Sequence, residues 1–112
     1  MEIQGKKAIV VGGASGMGRA TAELMAARGA SVAVLDRPGS GGDQVAKDLG
    51  GPFHPVDVTD FTGTEQAIGA AVADLGGLHA IITTAGGGIA ARTLGKEGPH
   101  DLDAFRQVVD LN

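Results

Sequence analysis

Residues Gly12 to Gly18 read Gly-Gly-Ala-Ser-Gly-Met-Gly and separate two segments of different hydrophobic period. Before them, Lys7–Val11 (KAIVV) is short, almost wholly apolar and rich in β-branched residues. That pattern suits a strand buried on both faces of a parallel sheet. After them, from Gly16 to Arg28, Met17, Leu24 and Met25 recur at helical spacing, and Arg28 with Gly29 supplies the stop. A buried parallel strand that turns directly into a helix commits the chain to strand–helix–strand crossovers, because parallel neighbours cannot be joined by a hairpin. Glycine makes up 20 of the 112 residues, so it has positional uses throughout.

The remaining pattern agrees. Ser31–Asp36 (SVAVLD) is a second apolar run ended by a carboxylate. Ser40 is placed to cap a helix through Leu49, with Val45, Ala46 and Leu49 on one face. Phe53–Val58 (FHPVDV) reads as a third strand, and Pro55 inside it points to a sheet edge. Thr62-Gly63-Thr64-Glu65 has the form of a capping box ahead of a helix carrying Ile68, Ala71, Val72 and Leu75 and stopped by Gly76-Gly77. Leu78–Thr83 (LHAIIT) is the fourth strand, and Gly86–His100 a polar, glycine-rich loop. Asp101 caps a last helix with Leu102, Phe105, Val108 and Val109. The expected fold class is therefore α/β: a doubly wound, Rossmann-like parallel sheet ordered 3-2-1-4, with no domain boundary between residues 1 and 112.

In such a sheet the ligand crevice lies at the carboxyl ends of the strands, where the strand order reverses. That point falls at the glycines. Gly12, Gly16 and Gly18 allow a tight turn, bring backbone close to a pyrophosphate and aim a helix N-terminus at the anion, with the Ser15 hydroxyl as a further donor. Asp36 lies at the end of the second strand, 18 residues beyond Gly18, close to the roughly 20 expected of an acid that binds an adenosine ribose. A carboxylate there accepts from the ribose hydroxyls and repels a 2′-phosphate, which favours NAD over NADP. Arg37 stands beside it, able to meet a phosphate or to stack on adenine.

With these residues in place, the chain resembles the short-chain dehydrogenase/reductase family. Val11–Gly18 is similar to its Thr-Gly-x-x-x-Gly-x-Gly turn, Asp57-Val58 to its adenine-contacting pair, Ile82–Gly86 (ITTAG) to its Asn-Asn-Ala-Gly strand end, and Asp110-Leu111-Asn112 to the segment ending at its catalytic asparagine. The resemblance implies that Met17, Thr84, Ala85 and Gly86 join the cofactor contacts and that Asn112 belongs to the catalytic set. Segments between the motifs resemble the type-2 3-hydroxyacyl-CoA dehydrogenase branch. That likeness implies NAD-dependent oxidation of a secondary alcohol, a 3-hydroxyacyl-CoA or a hydroxysteroid, by a homotetramer. Val11 stands where the family has Thr, Thr83-Thr84 where it has Asn-Asn, and His79 where Asp is common.

The family's base is a tyrosine in Tyr-x-x-x-Lys, and this chain has no tyrosine. The expectation is thus the N-terminal, cofactor-binding portion of a longer dehydrogenase, not active alone; the alternative is a separate, non-catalytic NAD-sensing module. LHAIIT carries none of the charges that protect a natural sheet edge, which points the same way. In the loop, Arg92 and Lys96 are either ligands for the phosphates of a CoA ester or a solvated basic patch, the second being the expectation. His54, His79 and His100 have no metal or triad spacing, so no metal is expected. A net charge of −4 and three aromatic residues, all Phe, argue against a nucleic-acid surface. The longest apolar runs, Ala8–Val11 and Ser31–Leu35, are too short for a membrane span, and the lack of cysteine fits a reducing, cytoplasmic setting.

Overall fold

A computed structural model describes residues 1–112. The elements are β1 (Lys7–Val11), α1 (Gly16–Ala27), β2 (Ser31–Asp36), α2 (Gly42–Asp48), β3 (Phe53–Pro55), α3 (Phe61–Leu75), β4 (Ala80–Thr83), a small hairpin of β5 (Leu94–Gly95) and β6 (Gly98–Pro99), and α4 (Leu102–Leu111). The first four strands form one parallel sheet in the order β3-β2-β1-β4, so the Rossmann-like arrangement read from the sequence is the one observed.

Burial explains the apolar runs of the two central strands. On one face Ile9, Val11, Ala33 and Leu35 pack with Val56, Ala67 and Ala71, the last two from α3. On the other, Ala8, Val10 and Val32 meet Ala22 and Met25 of α1, while Val34 meets Val45 and Ala46 of α2. Both central strands are therefore covered on both sides, which is why neither alternates apolar with polar residues. The outer elements are less covered: Ile81 of β4 is 47% exposed, and α4 has no buried residue although Leu102, Phe105 and Val109 line one side of it.

Register fixes what meets at the sheet's carboxyl edge. Val11 lies opposite both Leu35 and Thr83. One step further along each strand are Gly12, Asp36 and Thr84. The ladder continues through this step: the Leu35 carbonyl accepts from Gly12 N at 2.8 Å, the Val11 carbonyl from Thr84 N at 2.8 Å, and the Asp36 carbonyl from Val56 N at 2.8 Å.

Several boundaries differ from the sequence expectation. The second helix begins at Gly42 with Gly41 as its N-cap; Ser40 still accepts from Gly42 N at 3.2 Å but sits outside the helix. The third strand stops at Pro55, because Asp57 draws the chain into a turn by accepting from Thr59 N at 2.9 Å. The third helix is capped by Asp60, whose carboxylate accepts from Gly63 N at 3.0 Å, so Thr62 lies within its first turn and no Thr62–Glu65 capping box forms. Asp ranks above Thr as an N-cap, and it comes first in the chain. β4 starts at Ala80; His79 instead donates its N–H to the Lys7 carbonyl at 2.8 Å, and its Nδ1 accepts from Lys7 N at 3.0 Å. The loop after Gly86 contains the hairpin of β5 and β6. Asp101 caps α4 as expected, accepting from Asp103 N and Ala104 N.

Leu35 is fully buried, and its carbonyl anchors the glycine turn. Leu35→Ala is expected to lower unfolding free energy by about 3 kcal/mol, the middle of the range for a buried Leu truncated to Ala. Chemical denaturation checks it: the midpoint falls while the m-value is unchanged, and a loss under 1 kcal/mol would show that the site collapses around the smaller side chain.

Candidate functional site

The glycine turn joins β1 to α1, and its glycines serve different needs. Gly16 has a positive φ of 57° with open space where a Cβ would lie, so backbone conformation and not packing requires glycine there. Gly18 is buried, and a Cβ on it would strike the Gly12 carbonyl and come within 2.5 Å of Thr84 Oγ1. Close approach of α1 to β1 and β4 is what excludes a side chain at this position.

Ser15 is the N-cap of α1, extended at φ −154° and ψ 168°, yet its hydroxyl makes no capping bond. The first N–H groups of a helix have no partner inside it, and here no side chain takes them up. With Gly16 and Met17 exposed around them, these donors leave the positive end of the helix dipole open to solvent. Met17 is 79% exposed.

Two side chains hold the turn from either side. From β2, Asp36 Oδ2 accepts from Ala14 N at 2.9 Å, while Oδ1 accepts from Arg37 N at 2.7 Å. Just past the end of β4, the Thr84 hydroxyl lies 3.3 Å from each of the Val11 and Gly12 carbonyls. Thr84 thus makes the cross-sheet tie available to a threonine at this position; Thr83 makes none.

Below the turn lies a cleft of about 410 Å³ that brings together Gly12, Ser15, Asp36, Arg37, Asp57, Val58, Ala85 and Gly86. Gly16, Met17, Gly18, Thr84 and Asn112 do not line it. The sequence reading missed Gln107 and Leu111, which reach the cleft from α4 together with Val108. They share a helix with Val108, but nothing in the sequence showed that this helix borders the cleft.

The Asn112 side chain is engaged with backbone. Its Oδ1 accepts from Gly87 N at 3.2 Å, and its Nδ2 donates to the carbonyls of Gly87 at 2.8 Å and Val108 at 2.7 Å. This pairs the end of α4 with the glycines that follow β4. A side chain on Gly86 would meet Asn112 Oδ1 at 2.6 Å, so the small residue permits the pairing.

The acidity of the Asp57 carboxyl is changed by its neighbours. The Thr59 hydroxyl donates to it at 2.6 Å, and with the Thr59 N–H and the nearby Arg37 guanidinium this holds its pKa below the usual carboxylate range. The folded state therefore favours the ionised form. The contribution is present above the ordinary carboxyl pKa and is lost as pH falls through the lowered one. The cleft thus offers free helix N–H groups to an anion at one end and two carboxylates to hydrogen-bond donors at the other. A nicotinamide dinucleotide presents both requirements: a pyrophosphate, and an adenosine with a ribose diol. The glycine cradle and the uncapped helix fit such a group.

This arrangement is that of a Rossmann-like domain. The family model described as short chain dehydrogenase matches residues 6–112, and the chain belongs to that family. It is 40% identical to 3-hydroxyacyl-CoA dehydrogenase type-2 of Homo sapiens, over 98% of this chain and 44% of that protein. The protein of the same name from Drosophila melanogaster is 41% identical, over 98% and 45%. A solved short-chain type dehydrogenase/reductase from Mycobacterium ulcerans superposes with a TM-score of 0.86 at 31% identity, covering all of this chain and 42% of that one. The chain spans less than half the length of these relatives. No helix is long and apolar enough to cross a membrane.

Thr59→Val removes the hydroxyl donor and leaves the backbone one. The Asp57 carboxyl is expected to move up toward its ordinary pKa, read by carbon-13 NMR titration of the side chain. An unmoved titration would remove Thr59 as the main cause.

Proposed function

We propose that residues 1–112 are the NAD-binding portion of a short-chain dehydrogenase that oxidises a secondary alcohol or reduces the corresponding ketone. The observation that carries this reading is the row at the sheet's carboxyl edge, where Gly12 and Asp36 stand side by side below an uncapped helix N-terminus. The N–H groups of Gly16 and Met17, with the Ser15 hydroxyl, take the pyrophosphate. Asp36 takes the adenosine ribose, and Asp57 with Val58 borders the adenine. Thr84, Ala85 and Gly86 face the nicotinamide half. A nicotinamide bound there supplies the hydride acceptor or donor.

The protein's share of the chemistry is orientation and proton transfer. Asn112 is the member of the catalytic set within these residues, and its pairing with Gly87 supports that role by fixing the end of α4 beside β4. The chain has no tyrosine, so in this reading the general base stands outside the 112 residues. The substrate is a small molecule, a 3-hydroxyacyl-CoA or a hydroxysteroid, which the similarity to the type-2 dehydrogenases supports. The assembly is a homotetramer; the exposed Leu102, Phe105 and Val109 of α4 are consistent with burial between subunits.

Cofactor choice tests the reading at its centre. A 2′-phosphate beside an ionised Asp36 places like charges in contact, at a cost on the order of 4 kcal/mol at 4 Å and an effective dielectric near 20. The protein at its natural length is therefore expected to prefer NAD in kcat/KM. Asp36→Ala is expected to lower the NAD-to-NADP ratio at least about tenfold, since relief of about 1.4 kcal/mol suffices and Arg37 is then free to pair with the phosphate. A wild-type protein that prefers NADP would overturn the role given to Asp36.

A further inference from the structure

Asp36 has a second connection that ribose recognition does not require. Its Oδ2 accepts from the N–H of Ala14 across 22 positions of chain, at 2.9 Å and in a half-buried setting, while Oδ1 accepts from Arg37 N at 2.7 Å. The turn it reaches is otherwise lightly held. Gly12 N donates to the Leu35 carbonyl at 2.8 Å, Gly13 N reaches the same carbonyl only at 3.4 Å, and Ser15 makes no side-chain cap. Ala14 is thus the last anchored donor before the free N–H groups of α1. A segment containing Gly12, Gly13 and Gly16 has much backbone freedom to lose, so a single anchor there changes how often the donors point the same way.

We propose that Asp36 is a positioning residue for the anion-binding turn as well as the acceptor for the ribose, a statement that rests on the dinucleotide reading above. The residue type follows from the two bonds. Both carboxylate oxygens face N–H donors, so an amide would have to turn its NH2 toward one of them. A carboxylate has about four acceptor sites, and two remain for the ribose hydroxyls after these bonds are made. Ribose binding and turn geometry therefore meet in one side chain without competing for it.

The two roles predict opposite outcomes for a ligand that has phosphates and no ribose. If Asp36 acts only as a charge beside the site, its removal strengthens binding of inorganic pyrophosphate. If it holds the turn, its removal weakens that binding despite the lost negative charge.

The test titrates inorganic pyrophosphate into the protein at its natural length, as wild type, Asp36→Asn and Asp36→Ala, and follows hydrogen exchange at the Ala14 amide. The Ala variant is expected to bind pyrophosphate about fivefold more weakly, the loss of one hydrogen bond, with faster exchange at Ala14. The Asn variant, which keeps one acceptor, falls between and carries the test alone if the Ala variant does not fold. Pyrophosphate binding as tight as or tighter than wild type in either variant overturns the positioning role and leaves the dinucleotide reading standing. A folded wild type that binds neither NAD nor pyrophosphate overturns that reading as well.

Discussion

The pairing of β1 with both β2 and β4 in one register is the constraint on which the site depends. Opposing Val11 to Leu35 and to Thr83 leaves Gly12, Asp36 and Thr84 as the next residues out. A slip of one residue in either pairing would separate the turn from one of the two side chains that hold it and would also turn the buried residues of that strand to the wrong face. The burial of Ile9, Val10, Val34 and Leu35 thus secures more than the core. It sets the depth at which a carboxylate and a hydroxyl meet a glycine turn.

Charge is divided within the cleft in a way that suits a ligand of mixed character. Two carboxylates beside an anion-binding helix end would work against it if they lay together. Here Asp57 is held by Thr59 beyond β3, and Asp36 points its oxygens at backbone N–H groups, so each carboxylate is already partly neutralised by hydrogen bonds. The helix end keeps its own donors free. Arg37, which lines the same cleft, adds its charge to the Thr59 bonds that lower the pKa of Asp57.

Much of this was legible in the sequence, for identifiable reasons. KAIVV and SVAVLD are bounded as read because strands buried on both faces leave continuous apolar runs with sharp polar ends. The glycine spacing located the turn, and Asp101 announced its helix. What escaped depended on tertiary placement or on competing local signals. Asp60 and Thr62 are both credible caps, and only the path of the chain after Asp57 decides between them. The hairpin of β5 and β6 has two-residue strands, too short to show a period, joined through Lys96 and Glu97 without the Asn-Gly type of turn. Gln107 and Leu111 belong to the cleft because α4 passes over it, which helical spacing alone does not reveal. The bond between Asp36 and Ala14 was invisible for the same reason: it exists only once β1 and β2 are in register.

The two ties on the glycine turn also differ in how far along the chain they reach. Asp36 and Ala14 are 22 residues apart, whereas Thr84 and Val11 are 73 apart. Closing the longer loop costs about 1 kcal/mol more in chain entropy if both segments are flexible, and β4 with α4 beyond it buries little to offset that. The half of the sheet with the shorter tie, β1 to β3 with α1 and α2, is therefore expected to assemble first, with β4 joining a turn already held on its other side. In the folded protein the same asymmetry makes the β4 edge the one expected to open first, so the sequence distances of two hydrogen bonds set an expected order of assembly.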